Sequence, residues 1–171
     1  MSILRKRRVV PLELVADGLA TIILRESSGK RIGDVFAGTL RDQDEIDDRA
    51  RRELLVLKAF CATRAASDAL ERPGSAEKLL DLLHERIYLS ESSTTLDRDS
   101  FEQHLRTRYK SYHSILNGSG DPLRSLGTFF ADKFLNTSDA AFVHLSAQTF
   151  FRQLERTRAA LGQIFSEFDF E

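Results

Sequence analysis

The chain has 171 residues, 25 Lys and Arg against 26 Asp and Glu, 42% hydrophobic and 30% charged side chains, and only 9 Gly and 3 Pro, where an average composition carries roughly 20 of those two together. So few turn residues exclude collagen-like, linker-like and disulfide-scaffold chains and weigh against a sandwich that turns every ~10 residues. The even charge balance excludes a strongly basic nucleic-acid-binding domain, and the length suits one helical domain over 1–171 whose folding buries about 70% of the unfolded surface.

The chain opens on a basic cluster, Arg5, Lys6, Arg7 and Arg8, expected in a flexible segment 1–9. It resembles the start of an export signal, but Pro11, Glu13 and Asp17 interrupt the apolar stretch such a signal requires. Residues 10–37 read two ways. Pro11 followed by Leu12, Val15, Leu19 and Ile22 or Ile23 fits a helix opened by proline. Asp17-Gly18, the β-branched Thr21-Ile22-Ile23 and Ser27-Ser28-Gly29 fit a β-hairpin instead. The helix is the preferred reading.

From Asp42 to Leu70 an acidic start (Asp42, Asp44, Glu45, Asp47, Asp48) complements a helix N-terminus. It leads into Leu54–Ala62, where eight of nine residues are apolar. No turn bounds that run, so it predicts a helix surrounded by others. After Arg72-Pro73-Gly74, Ser75 is positioned to cap a shorter helix burying Leu79, Leu82, Leu83 and Ile87, and the polar Ser90–Thr95 stretch reads as a loop. Phe101, Leu105, Tyr109, Tyr112 and Leu116 recur at helical spacing, with Arg106, Lys110 and His113 assigned to the opposite face, up to Asn117-Gly118. Asp121 and Pro122 then open a helix reaching about Leu135.

Thr137 or Ser138 is the expected cap of the last helix, whose 3,4 spacing runs through Ala140, Val143, Ala147, Phe150, Leu154, Thr157, Leu161, Ile164 and Phe168. Phe142, Phe151 and Phe165 widen that stripe, as a helix with neighbours on two sides requires. The expected architecture is an all-α bundle of about six helices with an antiparallel C-terminal helical hairpin. Nine of the twelve Phe lie between Phe129 and Phe170, and the alternating Phe168-Asp169-Phe170-Glu171 reads as a tail able to dock in a groove.

Motifs for chemistry are weak. Asp81 and His84 stand at i, i+3, a relative of the Glu-x-x-His unit of di-iron bundles, but no second such unit accompanies them. Around Ser28-Gly29-Lys30-Arg31, Leu24 replaces the first Gly of a phosphate loop and Arg31 its Ser or Thr. Asn117-Gly118-Ser119-Gly120 lacks the third glycine of a dinucleotide fingerprint. At Ser125 the leading Gly of a nucleophile elbow is replaced by Leu123. The sequons at Asn117 and Asn136 read as helix-ending asparagines. The lone Cys61, in an apolar run, fits a reducing cytoplasm and an inert thiol.

These residues lead to an expected non-enzymatic interaction protein, cytoplasmic, without cofactor or membrane span. It self-associates as a homodimer, or meets a protein partner, through Phe129, Phe130, Phe150 and Phe151. Adjacent Phe residues diverge by about 100 degrees on a helix, so both members of each pair cannot face one narrow core. One alternative is a small-molecule or metal site inside the bundle, with Asp81 and His84 as weak ligands and an enzyme not excluded. The other is nucleic-acid or anionic-surface binding through Arg5, Lys6, Arg7, Arg8, Arg106 and Lys110, the least favoured given the net charge of -1.

Overall fold

The structure, a computed structural model, describes residues 8–27, 31–36, 46–70, 73–91 and 97–170. It is an all-α bundle: α1 (Leu12–Ser27), the four-residue α2 (Ile32–Val35), α3 (Asp48–Ala69), α4 (Pro73–Glu91), α5 (Arg98–Asn117), α6 (Pro122–Leu135) and α7 (Ala140–Glu167). Two three-residue strands, β1 (Arg8–Val10) and β2 (Phe168–Phe170), pair in parallel with Arg8 opposite Phe168 and Val10 opposite Phe170.

The core is organised around α3. Asp47 caps it by accepting from the Ala50 N–H at 2.6 Å, and every residue from Glu53 to Ala62 is buried. A helix with no solvent-facing side over ten residues needs neighbours all round. It has α1 and α4 on one flank, themselves packed together, and the α6–α7 hairpin on the other, with α5 alongside α6. Phe60, at the centre, has its ring within 4.9–6.0 Å of the rings of Tyr109, Tyr112, His113 and Phe150. Aromatic contacts from α5 and α7 therefore meet on one α3 side chain.

Residues 12–27 are helix, and the hairpin alternative is set aside. Leu12, Val15, Ala16, Leu19, Ala20 and Ile23 are all buried, a 3,4 pattern that only helical geometry turns to one side. Asp17 and Gly18 sit inside that helix, where Asp17 pairs with Arg86 of α4. Arg8 and Val9, expected in a flexible start, belong to β1; residues 1–7 lie outside the described residues. The expected groove-docking tail is β2, occupied by β1. In α4 the helix already begins at Pro73, so Ser75 lies in its first turn, and it continues through Glu91. The remainder of the expected Ser90–Thr95 loop falls outside the described residues, as do Asp42, Asp44 and Glu45. His113 is not an outer-face residue: its ring lies 5.0 Å from that of Phe60.

The hairpin follows the predicted punctuation closely. Asp121 caps α6, accepting from the N–H groups of Leu123 and Arg124, with Pro122 in the first turn. Asn136 closes it in the left-handed region at φ 52°, a conformation asparagine tolerates better than most residues. The cap of α7 is Asp139, one residue beyond the expected Thr137 or Ser138. Its carboxylate accepts from Ala141 and Phe142, while the Thr137 hydroxyl accepts from the Asp139 N–H. No helix among the described residues is long and apolar enough to cross a membrane.

Candidate functional site

Three places gather chemistry. The first is the outer face of the hairpin. Gly127 lets α6 and α7 approach closely: a Cβ there would drive into the Val143 carbonyl oxygen and lie 3.1 Å from the Ala147 Cβ. Over this contact runs an open groove of about 950 Å³ with Leu123, Val143, Ala147 and Phe151 along it and Arg124, His144, Gln148 and Arg152 at its rim. Leu123 is 53% exposed. His144 is held by Gln148 at 2.9 Å, whereas neither Arg124 nor Arg152 has an ion-pair partner among the described residues.

The four phenylalanines expected to form the contact separate into two pairs. Phe130 and Phe150 are 0% exposed, so they are core, correcting their assignment to an interface. Phe130 stacks on Phe134 at 5.0 Å and Phe150 lies beside Phe60 and Tyr112. Phe129 and Phe151 are half-buried. The Phe129 ring packs edge-on to Tyr112 and carries the cations of Arg108 and Lys133 at 5.8 Å. Phe151 alone of the four reaches the groove. The 100-degree divergence of neighbours is real, and α5 covers much of the second face.

The second place is a cleft of about 260 Å³ between α4 and α5 that includes Asp81, His84, Glu102 and Tyr109. His84 Nε2 lies 3.0 Å from the Tyr109 hydroxyl, which lies 3.3 Å from the Thr63 hydroxyl. Burial holds the His84 imidazole below its ordinary pKa, against the opposing pull of the Asp81 and Glu102 carboxylates, and burial raises the Tyr109 phenol. Asp81 is exposed. Among the described residues no group of three His, Cys, Asp or Glu side chains converges to hold a metal ion, so the expected Asp81–His84 pair has no third ligand of that kind. Cys61 is buried and its thiol is pushed far above the usual range by burial.

The third place joins residues that are far apart in the sequence. Glu53 is 3% exposed in the middle of the bundle. Arg108 of α5 grips its carboxylate with Nε at 2.8 and 3.1 Å and an Nη at 2.7 Å, and His104 Nε2 lies 3.4 Å away. Burial pushes the Glu53 carboxyl up, but the hydrogen bonds and charges of His104 and Arg108 outweigh it and hold the group below its usual value. The pair opens onto a cleft of about 330 Å³ that also collects Arg49, Arg52, Asp132 and Lys133. A carboxylate immediately before the Leu54–Ala62 run is the one signal that pointed here, since it falls on a helix with no solvated side.

Of the predicted basic residues, Arg106 and Lys110 do not line this cleft. Arg106 and Lys110 are exposed on α5, with Arg106 3.8 Å from Glu102. Arg5, Lys6 and Arg7 lie outside the described residues, and Arg8 is described as backbone of β1 only. Comparison of the chain with protein-family models, with curated protein sequences and with solved structures found no match.

Proposed function

We propose that this chain is a helical interaction protein of a reducing compartment such as the cytoplasm, and that it self-associates as a two-fold dimer through the outer face of α6–α7. The observation that carries the reading is the apolar groove over Gly127, with the half-exposed Leu123 and Phe151 along it and, at its rim, Arg124 and Arg152, which have no ion-pair partner among the described residues. A second copy fits it for a reason of charge and size. A two-fold axis crossing α7 at the level of Leu145 and Ser146 sets Arg152 of each copy opposite Asp139 of the other, and Phe151 opposite Ala140. Opposite charges then meet at both ends and a large side chain faces a small one, the self-complementarity an isologous interface needs.

Light scattering coupled to size-exclusion chromatography tests it. The expected mass is twice the 19.4 kDa of the chain at high micromolar concentration. Leu123→Glu, at an exposed position, is expected to return the single-chain mass with an unchanged helical circular dichroism spectrum. A wild-type chain that runs as a monomer at that concentration sinks the proposal.

A further inference from the structure

The cleft beside Glu53 is more basic than its structural pairs require. It collects Arg49 and Arg52 from successive turns of α3, His104 and Arg108 from adjacent turns of α5, and Asp132 and Lys133 from the end of α6. Glu53 is consumed by Arg108, and Asp132 by Lys133 at 2.6 Å. Arg49 donates to the carbonyls of Lys133 and Phe134, the open end of α6, and lies 4.0 Å from Asp47. Arg52 is different. Its one hydrogen bond runs from Nε to the Asp48 carbonyl at 3.2 Å, which leaves both Nη groups of a half-buried guanidinium without a protein partner among the described residues. Beside it, His104 Nε2 is buried, with the Glu53 carboxylate 3.4 Å away as its polar neighbour. Buried polar atoms are ordinarily satisfied, and a concave surface of one sign focuses its potential on an incoming counter-ion.

We propose that this cleft is a phosphate site, taking the phosphate group of inorganic phosphate or of a small phosphomonoester. Four full cations face the two lining carboxylates and Asp47, 4.0 Å from Arg49, so one positive charge, that of Arg52, is left uncompensated for an incoming anion. A volume of about 330 Å³ admits a phosphate with a short organic group. The planar fork of Arg52 suits two phosphate oxygens at once, and the Lys133 ammonium supplies a point charge at the same opening.

Isothermal titration of the full chain with inorganic phosphate, and in parallel with glycerol 3-phosphate, tests this against sodium chloride of equal ionic strength. Saturable binding of either probe is expected, together with a thermal midpoint that rises with probe concentration as ligand linkage demands; the tighter of the two identifies the free ion or the monoester as the natural class. Arg52→Ala is expected to weaken binding at least about tenfold, the loss of a charged hydrogen-bonding group, and Lys133→Ala is the second variant should the first fold poorly. Two results overturn the proposal: no heat and no shift beyond that of chloride with either probe, or binding that is the same in the wild type and in both folded variants.

Discussion

His84 and Glu53 give this fold an acid sensitivity that can be worked out residue by residue. In the unfolded chain the His84 imidazole takes up a proton below its ordinary value of 6.5, whereas in the folded chain burial keeps it neutral further down. The unfolded state therefore binds more protons, and stability falls as pH drops below 6.5, by at most about 1.4 kcal/mol per pH unit. Glu53 adds a second loss at lower pH. Its carboxyl is held below the ordinary 4.5 by His104 and Arg108 despite burial, so the stability it contributes is full above 4.5 and disappears as pH falls through the folded value. Urea titrations across this range are expected to show both limbs, with His84→Gln removing the upper one. Glu53→Gln is expected to flatten the lower limb and to cost about 3 kcal/mol at neutral pH, because Arg108 loses a buried counter-charge. A stability that is level from pH 7 to 5 in the wild type contradicts the His84 argument.

At the scale of elements, the α6–α7 contact depends on one missing side chain. Gly127→Ala gains about 1 kcal/mol of helix propensity but forces a methyl against the Val143 carbonyl and Ala147, so the helices must part; a net loss of about 1–2 kcal/mol is expected. Gly162, in the same hairpin but with nothing within 4 Å of a built Cβ, provides the contrast. Gly162→Ala is expected to stabilise by about 0.5–1 kcal/mol. Thermal melts of the two variants are expected to move in opposite directions, and a Gly127→Ala melt at or above the wild type refutes the close-packing argument. The ends of these helices were legible because Asp121-Pro122 and Asn136 act locally. The cap of α7 lies a residue beyond the expected one because Thr137, Ser138 and Asp139 are all competent caps in one run, and nothing local decides among them. The split of the phenylalanine pairs was not legible either. It depends on α5 laying Tyr112 against Phe129, and the spacing within α6 carries no record of that neighbour.

For the molecule as a whole, the central place of α3 was written in the Leu54–Ala62 run, since nine buried residues in a row leave no other site for that helix. What linked distant segments was not. Glu53 and Arg108 are 55 positions apart, and each reads alone as an ordinary charged residue of an amphipathic helix. The pairing of β1 with β2 is more distant still, joining three residues at each end of the described chain that carry no strand-length pattern. That pairing has a mechanical consequence. Because the strands are parallel, a load drawn outward through residue 8 and residue 170 pulls them in opposite directions along their length, so the ladder is sheared with its bonds stressed together rather than peeled one at a time. Single-molecule extension between those two points is expected to show a distinct first rupture before any helix unravels, a step that is absent when the same molecule is pulled between the surfaces of α4 and α7. The helices carry the fold, but under tension along the chain this short ribbon takes the load first.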